Sequence, residues 1–312
     1  MKVMVIAAGL EQERIIQLVK ERGHWVLATA WPATYADSLT LADHGEIVDP
    51  RNLTAIWELA HGHAIEAVVT DQCDYSQFAA AYVAERKGLP GPSFAAAHVA
   101  INKSHQRGRL RESGVLQPRY VLCATRDDVW KAVKNTGYPA IIKPVDNRGN
   151  SGVNRIDHEE HVAEAYYDAI ANTLSRKIIV EQFIEGTMVT VEGFVFPCGQ
   201  HISLVSSSKV MLGGRKRVAM ELRYPAEFPK DIVESVIETN QKAMQALGYG
   251  FGPTHAEYMV TPSGQAYFIE AANRGGGVLI NSHIVPAVTR CDPTSLMVDH
   301  ATRIPVELQD YG

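Results

Sequence analysis

The sequence predicts an open parallel α/β unit followed by two smaller α+β units with antiparallel sheets. Apolar strand-like runs alternate with amphipathic helical runs through about residue 100, and beyond that point the alternation gives way to paired strand-like runs separated by turn signals. A length of 312 residues, 46% hydrophobic and 21% charged, supplies enough apolar surface for two or three such units. No repeats or low-complexity tracts interrupt the pattern.

The opening run "KVMVIAAG" reads as a buried parallel strand, "EQERIIQLVKERGH" as a helix ending at Gly23, and "WVLATAW" as the next strand. "GEIVDP", "LTAIWELAHGH", "IEAVVTDQ" and "YSQFAAAYVAERKG" continue the alternation, which predicts a doubly wound sheet. Gly9 stands alone in the first turn, without the G-x-G-x-x-G that a dinucleotide would require. The loop "TDQCDYS" sits where such sheets present ligands, though it also reads as an ordinary polar loop. Further on, "NKSHQRGRLRESG" is helical, "PRYVLCA" and "PAIIKPV" are strand-like, and "HVAEAYYDAIANTL" is an amphipathic helix. "KIIVEQFIEG", "MVTVEGFVF" and "ISLVSSSKV", with the helix "DIVESVIETNQKAMQALGY", predict an antiparallel sheet under helical cover.

A net charge of -5 and a pI near 6.2 argue against a broad basic face for nucleic acid, which points to small-molecule partners. Cys73, Cys123, Cys198 and Cys291 are far apart, with no zinc spacing and no disulfide framework. The first apolar run is too short and too soon charged for a signal peptide, and no later run would span a bilayer, so the cytoplasm is the expected compartment, with no membrane partner.

The chemistry-bearing residues cluster late in the chain. "THAEYMVTPSGQAYFIEAANRGGG" reads as a hairpin turning at Thr261–Gly264. Pairing Val260 with Gln265 sets Glu257 opposite Phe268, with Glu270 one diagonal step away at about 7 Å. Converging carboxylates repel unless a cation lies between them, and hard Mg²⁺ suits such oxygen ligands. The same residues also fit a salt-bridged surface hairpin. Lys143 ends the strand "PAIIKPV", and the loop "DNRGNSGV" brings Gly149 and Gly152, an arrangement suited to phosphate but without a Walker sequence. In "VEQFIEG", Glu181 is polar among apolar neighbours, and the backbone near Phe183 and Ile184 could meet a purine edge; an edge strand with an exposed acid is the alternative. Lys209 precedes a basic segment, Arg215 to Arg217, beyond Gly213 and Gly214, which reads either as a loop over a triphosphate or as a solvated basic loop. His255 and His283, the histidines nearest these motifs, read as satisfied core or surface residues.

The ordered set Lys103 in "INKSHQRG", Lys143 in "IIKPVDNRGNSGV", Glu181 in "VEQFIEG", and Glu257 with Glu270 resembles the ATP-grasp superfamily from about residue 103 to residue 300. "KPVD" before its glycine loop and the final "E-x-x-x-R-x-G-G" resemble the carboxylate-amine ligase branch, which includes D-alanine-D-alanine ligase and L-amino acid ligases. The resemblance implies an N-terminal domain over 1–100, a small lobe over 101–180 and a C-terminal lobe over 181–312 that carries the metal site. It implies ATP held by Lys103, Lys143 and Lys209, by Asn150, Ser151 and Gly152 of the covering loop, and by Glu181, Phe183 and Ile184 at the adenine. Mg²⁺, or Mn²⁺ in its place, would be held by Glu257, Glu270 and Asn273, with Arg274 and Lys143 as catalytic residues, Arg274 clamping a substrate carboxylate or acyl phosphate. Ala272 stands where the family places its metal-ligating Asn, hence the choice of Asn273, and Met188 stands where the family has a ribose-binding acid. The implied activity is ATP-dependent joining of a small-molecule carboxylate to an amine through an acyl phosphate, in a homodimer. An ATP-dependent carboxylase or purine-pathway ligase, and a non-catalytic ATP-binding protein, are the rival expectations.

Overall fold

A computed structural model describes residues 1–31, 36–212 and 219–306. The first unit runs β1 (Lys2–Val5), α1 (Glu13–Glu21), β2 (Trp25–Ala30), β3 (His44–Ile47), α2 (Leu53–Gly62), β4 (Ala67–Val69), α3 (Asp74–Lys87) and α4 (Phe94–Ala100). Its four strands are parallel in the order β3-β2-β1-β4, as the alternation predicts. Buried apolar runs build β1, β2 and β4, with the polar β3 half-exposed at the edge, and α1 ends through Gly23 at φ +74°, a backbone conformation that a side chain disfavours.

Next come α5 (Lys103–Arg109), β5 (Tyr120–Cys123), α6 (Arg126–Thr136), β6 (Ala140–Pro144), β7 (Asn154–Ile156), α7 (Val162–Ala171) and β8 (Ile178–Gln182). These strands form an antiparallel sheet ordered β5-β8-β6-β7. Alternation decides its faces: Ile142 and Val180 pack against Val129 and Ala165, so Lys143 and Glu181 point the opposite way. The sheet extends to Gln182, two residues past the expected lobe boundary.

The third unit holds β9 (Thr187–Val195), β10 (His201–Met211), β11 (Ala219–Arg223), α8 (Lys230–Leu247), β12 (Gly252–Val260), β13 (Ala266–Ala272), α9 (Val285–Thr289) and α10 (Pro293–Ala301). Its sheet runs β11-β10-β9-β12-β13. Val189, Val191, Tyr258 and Phe268 face α8, where they pack with Val236, Met244 and Leu247. The other face is divided between two tasks. At one end Phe194 and Phe196 join Val3, Val5 and Ile15 in a core that also takes in Leu296 and Val298 of α10, so the last helix returns to complete the first unit. At the other end, polar side chains line a cleft.

Candidate functional site

The floor of the cleft depends on an irregularity in the hairpin. Tyr258 pairs with Phe268, but Glu257 pairs with Glu270, because the register shifts between Glu257 and Tyr258 and leaves Ile269 as the extra residue. This corrects the regular ladder expected from the sequence, in which Val260 met Gln265 and Glu257 met Phe268: the turn already sets Val260 opposite Ala266, and the bulge adds the second residue of shift. In an unbulged strand Glu270 would share the core face of Ala266 and Phe268; the one-residue slip turns it out beside Glu257.

Two adjacent carboxylates need cations. Lys209 Nζ lies 2.5 Å from Glu257 Oε1, and Lys103 Nζ lies 2.8 Å from Glu270 Oε2. Burial alone would raise the Glu257 carboxyl, but the charges of Lys209 and His255 hold it well below the usual range. Burial would likewise lower Lys103, and Glu270 outweighs it. Asn102 positions Lys103 by capping α5 through its side chain, and Lys103 Nζ also donates to Asn147 O at 2.7 Å.

A second ionic group forms the roof. Lys143 Nζ lies 2.6 Å from Glu181 Oε2, and Arg107 Nη2 lies 2.8 Å from Glu181 Oε1, with both side chains almost wholly buried. The Lys143 ammonium is lowered chiefly by burial, while the two cations pull the Glu181 carboxyl down against the same burial. Beside this group Phe183, Ile184, Met188 and Met259 wall a cleft of about 750 Å³ that also reaches Asn150, Glu257 and Glu270. Met188 therefore contributes apolar surface at the position where an acid was looked for.

The structure does not bring every expected residue to this cleft. Asn273 lies on the opposite face of its strand, buried, donating to the carbonyls of Phe251 and Pro253, so it is away from the two glutamates. Gly152 backs onto Pro144, Ala169 and Asn172 at φ +75°, and Ser151 is exposed. Arg274 is bound bidentately by Asp74, with Nε–Oδ1 at 3.0 Å and Nη2–Oδ2 at 2.9 Å. The residue expected as a substrate clamp here joins the third unit to the first through this ion pair, at the edge of a neighbouring hollow. The basic segment from Arg215 to Arg217 lies outside the described residues, and His283 contacts Ser282 at 2.9 Å.

Other residues at the site went unremarked in the sequence. Glu192 reaches His255 Nδ1 at 2.7 Å, and although burial would lower the imidazole, the carboxylate raises it to about 9. His255 is thus a satisfied histidine, as the sequence suggested, held between Glu192 and Glu257 beside the cleft. Asp71, pushed up to about 6 by burial, accepts from Gly275 N at 2.7 Å and Asn281 Nδ2 at 2.6 Å. The loop "TDQCDYS" therefore docks the glycine-rich segment instead of lying idle in solvent. Arg107 could have been found from its place four residues after Lys103 on one helix face, and Glu192 from its place two residues after Thr190 in an apolar strand.

Residues 136–282 match the ATP-grasp domain. The chain carries an ATP-grasp domain. The match takes in Lys143, Glu181, Lys209, Glu257 and Glu270, and the surrounding sheets have the expected two-lobed ATP-grasp arrangement behind a parallel α/β domain. A D-alanine-D-alanine ligase of Nitratidesulfovibrio vulgaris is 24% identical over 97% of this chain and 93% of its own length. A formate-dependent phosphoribosylglycinamide formyltransferase of Erythrobacter litoralis is 26% identical over 83% of this chain and 67% of its own. The solved L-amino acid ligase of Bacillus licheniformis superposes with a TM-score of 0.83 at 21% identity, over 99% of this chain and 76% of that one, and shares the ATP-grasp fold. The chain spans about half the length, 51%, of an uncharacterised relative from Sinorhizobium fredii. Among the described residues no helix is long and apolar enough to cross a membrane.

Proposed function

We propose that this chain is an ATP-dependent ligase that joins a carboxylic acid to an amine, releasing ADP and phosphate. The observation that carries the proposal is the direct pairing of Glu257 with Glu270 at one end of a cleft whose other walls bear Lys103, Lys143 and Lys209. Two facing carboxylates, with His255 Nε2 3.7 Å from Glu257 Oε1, suit a hard divalent cation that completes its shell with phosphate oxygens and water. Glu257 and Glu270 would hold Mg²⁺ or Mn²⁺, which when bound neutralises phosphate charge.

The chain's own groups supply the rest. Phe183, Ile184, Met188 and Met259 offer an apolar slot for a purine, and Lys143 and Lys103 face the space its phosphates would fill. In the reaction an oxygen of the acid attacks the terminal phosphorus and the bond to ADP breaks. The amine nitrogen then attacks the acyl carbon, phosphate leaves and the nitrogen loses a proton. No covalent link to the protein is required, so positioning and charge carry the rate. The loop from Asp146 to Val153, which lines the cleft through Asn147, Arg148 and Asn150, is suited to keeping water from an acyl phosphate. A homodimer acting on small molecules completes the proposal.

The similarity to a formate-dependent formyltransferase supports a second reading, in which the acid is formate or bicarbonate. ADP release measured with Mg²⁺ across amino acids, formate and bicarbonate, with hydroxylamine as a general amine, tests both. Turnover with an amino acid supports the first and turnover with formate or bicarbonate alone supports the second. Nucleotide binding without turnover on any acid would overturn both.

A further inference from the structure

Beside the nucleotide cleft lies a second hollow of about 540 Å³, between the first unit and the large sheet. The two share Lys103, Asn147, Arg148 and Glu270, so these four stand where one opens into the other. Most charges around the second hollow are matched: Arg274 by Asp74, His255 by Glu192 and Lys103 by Glu270. Asp146 accepts from Thr173 Oγ1 and Ser175 N.

Arg148 is the exception. Its guanidinium has no carboxylate within ion-pair distance among the described residues; Nη1 reaches only Cys73 Sγ, at 2.8 Å. Instead it lies over aromatic rings of the first unit, 4.8 Å from the centre of Tyr75 and 5.8 Å from that of Trp31. Arg51 stacks on the same two rings from its own loop, 4.8 Å from Trp31 and 5.8 Å from Tyr75, and there it is neutralised by Asp49. The rings brace the Arg148 guanidinium without consuming its charge, and with Nη1 on Cys73 the Nε–Nη2 edge is left to meet an anion.

We propose that Arg148, braced on Tyr75 and Trp31, is the residue that holds the carboxylate of the acid substrate at the junction of the two hollows. This rests on the ligase reading above and assigns to Arg148 the anchoring role that the sequence suggested for Arg274. Because Arg148 belongs to the loop beside the nucleotide cleft, acid binding and loop position are coupled through one side chain. Lysine in its place would keep the charge but lose both the fork and the stacking.

The test uses Arg148→Gln, Arg148→Lys and Tyr75→Leu in the full chain. MgATP affinity is measured by calorimetry, and ADP release is followed with the twenty L-amino acids and D-alanine in the presence of hydroxylamine. The expected result is a KM for the accepted acid raised at least 30-fold in Arg148→Gln and at least 10-fold in Arg148→Lys, in each case by at least fivefold more than the MgATP dissociation constant rises. Tyr75→Leu is expected to raise the same KM about fivefold. An unchanged acid KM in Arg148→Gln, while the parent turns over normally, overturns the inference and leaves the ligase reading standing. A parent that binds no MgATP, or binds it and turns over no acid of the panel, overturns the ligase reading and this inference with it.

Discussion

Replacing Arg274 with Gln distinguishes a strut from a substrate clamp. The pair with Asp74 has contacts of 3.0 and 2.9 Å, and its side chains are 16% and 14% exposed. At about 3 Å and an effective dielectric of about 20 the attraction is about 5 kcal/mol before desolvation is subtracted. Leaving one partner buried and unpaired costs about 3 kcal/mol after that offset. At about 2.1 cal/mol/K per residue, 312 residues unfolding together give about 0.65 kcal/mol/K, so the melting temperature falls by about 5 °C. The pH dependence has a definite sign. Arg274 holds the Asp74 carboxyl below its ordinary value against burial, so the stabilisation is present above the unfolded carboxyl pKa and lost as pH falls through the folded one. Without Arg274, burial raises Asp74, and the deficit of the variant shrinks on acidification. Thermal melts of R274Q, D74N and the double variant measure the coupling, and the double variant should recover about 2 kcal/mol of the summed single losses. A melting temperature unchanged in R274Q, together with a raised acid KM, would refute the strut.

Three further outcomes follow from the geometry. Burial holds His201 neutral, its value lowered from 6.5 to about 4, so the unfolded chain takes up the proton first as pH falls and about 3 kcal/mol of stability disappears between those limits; H201N should flatten that part of the pH-stability curve in urea titrations. A Cβ at Gly186 would stand 2.2 Å from Val260 O, so G186A must push β9 away from the end of β12 and should cost about 1–3 kcal/mol in chemical unfolding. Glu257→Gln removes one of the two facing carboxylates and frees Lys209, so the stabilisation given by MgATP should fall by about 1.4 kcal/mol, a tenfold loss of affinity, while that given by ATP with EDTA does not fall.

The fold was largely legible because period-2 and period-3.6 patterns record which face each residue buries, and those faces decided the three sheets. The acids at 257 and 270 were legible for the same reason, as charges on strands with little other use for them. Their register was not. A bulge shifts phase by one residue without changing composition, and only the packing of Tyr258 on Phe268 against α8 fixes where the slip falls. Arg274 was seen without its partner, since Asp74 lies 200 residues earlier and nothing local marks their meeting. Asn273 was the nearest amide to the position that Ala272 occupies, but its side chain turns to the carbonyls of Phe251 and Pro253, away from the cleft. Glu192 is legible as an acid in an apolar strand, but its partner His255 lies 63 residues away and only the fold brings them together.

The charge pattern suggests why so many ionisable groups are tolerated here. Glu257 and Glu270 cannot both remain charged side by side without cations, and in this structure Lys209 and Lys103 serve that need. Glu181 is matched twice, by Lys143 and Arg107, and Asp74 and Glu192 once each, so the polar core of the cleft is balanced before any anion enters. A balanced site costs less to fold than a concentration of one charge, but it offers little pull on an incoming anion. In the proposed ligase, a polyanion bound with its own divalent cation would meet that limit, because Glu257 and Glu270 would hold the cation and leave Lys209 and Lys103 to the phosphates. An acid arrives without such a companion, and of the guanidinium groups around the second hollow only Arg148 keeps its charge unspent on a carboxylate among the described residues. On the ligase proposal, the different requirements of the two ligands would account for an ion-paired floor and roof alongside an arginine braced by rings.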